Sequence, residues 1–254
     1  MTPDLDAVLD DVRSGLADAA GHVDGICRAA ETAFAAVGVP APPEVAGLQR
    51  SFSAVAGRLD GLILGAGDPG ALRAAGTTWV EDVSRPVSRL VGAVTDDVLE
   101  TDDHWRGTAA DAYRATLPAQ QKALAAVVAI CQEIDTVLED VATAVTRFWI
   151  AIGSACLGLV IALAGALGTA ATVVGAPVSA GLALAGVGAL VVAGNSALSN
   201  LTDITGATAT RGAALERRLA DSTAFPLGHW PRSTAGISTD ARVTDGDGSD
   251  WEIR

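Results

Sequence analysis

Residues 149–167 read "WIAIGSACLGLVIALAGAL", and no charged residue lies anywhere between Arg147 and Asp203. A second apolar run, "VSAGLALAGVGALVVAG", covers residues 178–194. A helix needs roughly 20 apolar residues, at about 1.5 Å each, to cross a bilayer's hydrocarbon. Both runs are at or just under that length. The connecting "GTAATVVGAP" carries Gly175 and Pro177, which suit a tight turn. Residues 148–202 are therefore expected to form a hydrophobic, glycine- and alanine-rich helical hairpin, with both ends on the same side of a membrane. Small residues recur at four-residue spacing: Gly158 and Ala162 on the first arm, and Gly181, Ala185 and Ala189 on the second. That arrangement lets helices approach closely in lipid, and it makes these five the expected packing residues of the hairpin. A buried hairpin in the core of a soluble bundle or oligomer has the same composition, so both readings stand at this point. Only Arg147 is basic near the hairpin, so orientation by positive charge is weakly specified.

Upstream, the apolar positions follow a heptad. Leu5, Leu9, Val12, Leu16, Ala19, Val23, Ile26, Ala30, Ala33 and Val37 alternate spacings of four and three. Thr2-Pro3 suits the start of this helix, and "GVPAPPE" stops it. A second run, Val45, Leu48, Phe52, Val55, Leu59 and Leu62, ends at "GAGDPG". A third begins near Asp68-Pro69 and carries Leu72, Trp79, Val83, Val87, Leu90, Val94 and Val98, with Pro86 expected to kink it. A fourth combines Leu117, Leu124, Cys131, Leu138 and Val145 with Val127, Ile134, Val141 and Phe148. No alternating strand pattern competes with these runs. The expected fold is all-α: an antiparallel four-helix bundle over residues 1–147, followed by the hydrophobic hairpin. A short amphipathic helix is expected over 203–221. The remainder, 222–254, reads as a disordered acidic tail, because it loses periodicity and is poor in apolar residues.

The composition narrows the function. Half of the residues are apolar but only 4% are aromatic, and the net charge is -13. Nucleic-acid binding needs a basic face, which this charge balance does not supply. Attraction to anionic headgroups is disfavoured for the same reason. Cys27, Cys131 and Cys156 are far apart, and each falls in an apolar pattern, so they read as small core residues. The acidic N-terminus lacks the basic and apolar regions of a secretory signal peptide. Hence any export is expected by a signal-peptide-independent route. The histidines His22, His104 and His229 are scattered, and the paired carboxylates Asp96/Asp97 and Asp102/Asp103 read as solvated charge near a turn. "GAGDPG" lacks the Lys-Ser/Thr of a phosphate loop, and "DGDGSDWE" lacks the spacing of a calcium loop. No catalytic, cofactor or metal site is expected, and the protein reads as a non-enzyme.

One short motif is more specific. "DDHWRGTAADAYRATL", residues 102–117, places Trp105 two positions before Gly107, between two apolar-periodic segments. Glycine closes a tight connection at no steric cost, and the tryptophan can cover the open end of a helix pair. A long amphipathic helix, a Trp-x-Gly turn, then "TAADAYR" and a second amphipathic helix resembles the WxG family of helical-hairpin substrates of type VII (ESX) secretion systems. The resemblance covers roughly residues 68–148. It gives Trp105, Gly107 and Tyr113 the roles of a structural turn motif. It also implies self-association or a small WxG-type helical partner, and export without a cleaved signal. Family members often carry a Tyr-x-x-x-Asp/Glu export signal. Here the residue four after Tyr113, the only tyrosine, is Leu117, a departure from that pattern. Lys122 is the only lysine, and the alanine-rich composition suits a high-GC actinobacterial genome. Three readings follow: a secreted or membrane-associated WxG-like protein with a membrane-active hairpin, a helical pore-forming protein with a shielded hairpin, and a membrane-anchored scaffold. Each expects contact with a lipid bilayer.

Overall fold

The computed structural model describes residues 4–95 and 108–232, and the fold they form is all-helical. The expected acidic tail beyond residue 232 lies outside the described residues. The helices are α1 (Leu5–Ala36), α2 (Pro43–Ile63), α3 (Pro69–Thr78), α4 (Arg85–Ala93), α5 (Thr108–Ala170) and α6 (Gly175–Leu219). A π-helical stretch, Trp79–Ser84, joins α3 to α4, and a short 3-10 turn, Pro226–Gly228, follows α6.

Local chemistry explains most of these boundaries. The Asp4 side chain caps α1 by accepting the Asp6 N–H at 3.2 Å. Gly38, with φ 71°, follows the C-terminus of α1, where a left-handed residue ends a helix without strain. Pro42 and Pro43 start α2, where a missing N–H costs nothing. Pro86, expected to kink the helix, is preceded by a π segment. Proline cannot donate to the carbonyl four residues back, and its ring crowds that carbonyl. The helix widens just before it, and the Arg85 N–H bonds to the Val80 carbonyl five residues earlier.

Two expected breaks are absent. No boundary separates residue 147 from 148: α5 runs from Thr108 to Ala170. Hydropathy changes there, but neither glycine nor proline interrupts the backbone. Likewise the short helix expected over 203–221 is the continuation of α6, which ends at Leu219. The turn between the two apolar arms is also tighter than the sequence suggests. Only residues 171–174 are non-helical, and the Gly175-Ala176-Pro177 stretch forms the first turn of α6.

The residues group into two compact units: Met1–Gly70 with Asp140–Gly206, and Ala71–Glu139 with Ala207–Arg254. This grouping differs from the expected body over 1–147 with an appended hairpin. The two apolar arms belong to the unit that holds α1 and α2. A single hydrophobic core runs through that unit. In α1 it takes Leu9, Val12, Leu16, Ala19, Val23, Ile26, Cys27, Ala30 and Phe34. In α2 it takes Val45, Leu48, Phe52, Leu59 and Ile63.

Contacts fix the helix directions in this unit. Gln49 Nε2 donates to Asp24 Oδ1 at 3.0 Å, and the Cys27 thiol approaches the Val45 carbonyl at 3.6 Å, so α1 and α2 are antiparallel. Glycines set α1 against the first arm. A Cβ at Gly15 would lie 3.4 Å from Cys156 Cβ, one at Gly153 3.6 Å from Val12 Cγ2, and one at Gly25 3.1 Å from Leu167 Cδ1. These pairs ascend together, so α1 runs parallel to the first arm.

The second unit is more thinly covered. Leu117, Leu124 and Cys131 of α5 are buried, as their heptad spacing suggests. Arg73 Nε donates to Glu139 Oε2 at 2.8 Å, tying α3 to α5. No residue of α4 is buried, and Trp79 and Leu90 are exposed.

Candidate membrane-inserting surface

The candidate site is the pair of apolar arms: the C-terminal part of α5 and the N-terminal part of α6. One face of each arm is packed inside its unit. In the first arm the buried residues are Trp149, Ile152, Cys156, Leu159, Leu163, Ala166 and Ala170. In the second they are Ala176, Ala180, Ala183, Val187, Leu190 and Ala197. The first set alternates steps of three and four throughout, and the second does so from Ala176 to Leu190, the spacing of a coiled-coil seam. Trp149 is the largest fully buried side chain at 2% exposure. Its ring meets Phe148 edge-on at 5.1 Å, and its Nε1–H donates to the Ala66 carbonyl at 3.4 Å, just beyond α2. Burying such a ring while pairing its polar edge is the arrangement tryptophan favours.

The opposite face is apolar and uncovered. Leu157, Ile161, Leu182 and Val192 are each more than half exposed. Of the most apolar stretch in each helix, only 28% is buried in α5 and 33% in α6. A core helix of a soluble bundle is mostly covered, so the arms are only half satisfied by their own unit. Both helices are long and apolar enough to cross a membrane.

The five expected packing residues lie on that uncovered side. Gly158, Ala162, Gly181, Ala185 and Ala189 are all exposed. A Cβ added at Gly158 or Gly181 would meet nothing within 4 Å. Ala162 borders the contact between the arms: its Cβ lies 3.5 Å from where a Cβ of Gly186 would be. The buried face of the first arm is instead lined by Trp149, Ile152, Cys156, Leu159 and Leu163. The heptad spacing of residues 152, 156, 159, 163, 166 and 170 was the sequence signal for the seam buried within this unit.

Of the turn motif, Trp105 and Gly107 lie outside the described residues. Tyr113 sits half-buried in the second turn of α5, and its carbonyl accepts the Thr116 hydroxyl at 2.6 Å.

The polar groups at the tip of the hairpin bond to one another. The Ser179 hydroxyl, fully buried, donates to the Gly175 carbonyl at 2.9 Å. The Thr169 hydroxyl, which also reaches the Ala166 carbonyl at 3.1 Å, shares a hydrogen bond with Ser179 Oγ, 2.6 Å away on the other arm. The Gly175 N–H bonds to Thr172 Oγ1 at 2.9 Å, and the Ala176 N–H to the Thr172 carbonyl at 2.8 Å. Gly175 has to be glycine, because a Cβ there would collide with the Thr169 carbonyl oxygen.

Around the arms the charges lie on α1 and α2. Asp6, Asp10, Asp11, Asp18, Asp24 and Glu31 all face solvent along α1. A groove of about 500 Å³ between α1 and the first arm has Gly15 and Gly153 in its lining and Asp11 and Asp18 at its α1 side. Among the described residues no group of His, Cys, Asp and Glu is placed to hold a metal ion. Burial raises the Cys27 thiol pKa, helped by the charges of Glu31 and Asp24, and burial also raises that of Cys131. Set against family models, curated proteins and solved structures, the chain matches none of them.

Proposed function

We propose that the protein is a non-enzymatic helical protein that inserts its apolar hairpin into a lipid bilayer from a shielded state. The observation that carries this reading is the two-sidedness of the arms. One face is held by α1 and α2, and the other presents Leu157, Ile161, Leu182 and Val192 to the surroundings. The packed arrangement itself does not fit inside a membrane. A carboxylate or other charge at the centre of a spanning helix costs about 2.5–3.5 kcal/mol, against a gain of about 0.3–0.6 kcal/mol for each Leu, Ile or Val. The six acidic side chains along α1 outweigh the whole apolar gain of that helix. Insertion therefore requires the arms to leave α1 and α2, which stay in water. This is the logic of a pore-forming protein with a shielded hairpin.

We further assign the protein to the WxG-like proteins associated with type VII secretion. Support comes from Trp105-Arg106-Gly107 and the Ala-Ala-Asp-Ala-Tyr continuation to Tyr113. A WxG-type partner or self-association through the helices of residues 68–148 belongs to the same proposal. In this reading the protein is secreted by a signal-peptide-independent route or held at the membrane of the producing cell.

Fractionation of the producing strain, with and without its type VII ATPase, tests the assignment. Appearance in the medium only with the ATPase supports secretion. Retention in carbonate-resistant membrane in both strains rejects secretion and leaves an anchored helical scaffold.

A further inference from the structure

We propose that the hairpin enters the bilayer tip first, with Val173, Val174 and Val178 as the residues that meet hydrocarbon before any other part of the chain. This rests on the insertion reading above and adds the order of events and the contact surface. The partner is the acyl interior of a lipid bilayer.

Three features converge on the tip. It is apolar and uncovered: Val174 is 85% exposed, and Val173 and Val178 are exposed beside it. Along its own two helices it is remote from charge. The nearest charged residues along the chain are Arg147 and Asp203, at the far ends of the arms. At ~1.5 Å per residue, more than ~30 Å of helix separates each from the turn. The hydroxyls at the tip are also bonded within the hairpin. A reversal of chain inside hydrocarbon is tolerated only where its backbone and hydroxyl groups are satisfied internally. The hydroxyls of Thr169, Thr172 and Ser179 meet that demand for the side chains, with Thr169 and Ser179 joined across the two arms.

The test uses the full chain with a single introduced thiol carrying an environment-sensitive dye. Val174→Cys reports the tip, Leu157→Cys the middle of an arm, and Leu198→Cys its base. All three positions are exposed, and the native cysteines are buried, so labelling of the folded chain goes to the introduced residue. Phosphatidylcholine vesicles are added, and dithionite outside the vesicles reads which dyes remain accessible. The expected result is that the dye at 174 brightens first and becomes protected, 157 follows, and 198 stays accessible. A second variant, Val174→Asp, is expected to slow insertion at least tenfold with unchanged circular dichroism. Brightening at 157 while 174 stays accessible overturns the tip-first order and leaves insertion standing. No brightening at any position overturns insertion itself. A dye at 174 already shielded before lipid is added shows that a second copy covers the tip, and this too overturns the proposal.

Discussion

Two glycines of the hairpin separate geometry from composition. Gly175 is fixed by the Thr169 carbonyl, whereas Gly158 faces open space. Gly175→Ala is expected to destabilise the chain by about 1–3 kcal/mol, because a rigid backbone atom stands where the new Cβ must go. Gly158→Ala is expected to be neutral or to stabilise by up to about 1 kcal/mol through helix propensity. Urea midpoints of the two variants check the pair; equal effects would contradict the contact at Gly175. Trp149→Ala removes the largest buried side chain and is expected to cost about 3–5 kcal/mol in the same measurement.

Beyond α6, Asp221 Oδ1 accepts the Thr223 N–H at 2.9 Å and the Thr223 hydroxyl at 2.7 Å. The backbone bond from Thr223, and then the hydroxyl bond, lower the Asp221 pKa below its ordinary 3.8. A lowered carboxylate pKa adds stability that is present above the ordinary value and lost as pH falls through the folded value. The Thr223 amide resonance is thus expected to titrate with a midpoint below 3.8. A midpoint at or above that value would remove the turn. The buried thiols Cys27 and Cys131 have the opposite sign. Their raised pKa leaves stability intact below the ordinary 9.0 and erodes it as pH rises beyond.

At the scale of elements, the glycine contacts of α1 supply a lock. With a Cβ at residue 15 lying 3.4 Å from Cys156 Cβ, Gly15→Cys places two thiols close to disulfide separation. The oxidised variant fastens α1 to the first arm. Dye release from phosphatidylcholine vesicles is expected to fall at least tenfold on oxidation and to return on reduction. Equal release in both states would mean that the arms insert without leaving α1. The heptad of α1 was legible because its seam is regular: Leu9, Val12, Leu16, Ala19, Val23, Ile26 and Ala30 are all buried. Legibility fails where the seam drifts. Phe34 is buried where Val37 was expected to be, and Ile63 where Leu62 was, since an α-helix slips against a strict seven-residue repeat. The small-residue stripe is silent on the packed face for a different reason. Gly and Ala pack closely and also tolerate exposure, so Gly158 and Gly181 carry no information about which side they face.

For the whole molecule, periodicity states that a helix has an apolar face but not which segment covers it. The α1 and α2 faces suit residues 71–139 as well as residues 140–206, and the contacts join them to the latter. The richer apolar surface of the arms gives that choice its driving force, at about 25 cal/mol for each Å² buried. A charge argument then follows for the intact chain. Its net charge is -13, while the inserting arms are uncharged from residue 148 to residue 202. The body therefore opposes approach to an anionic surface, and the hairpin is indifferent to it. Leakage is expected to be fastest with phosphatidylcholine vesicles, to fall as phosphatidylglycerol is added, and to recover at high salt, where the screening length shrinks to about 3 Å at 1 M. Leakage that rises with phosphatidylglycerol would place a basic contact at the membrane and require the body, not the tip, to make the first encounter.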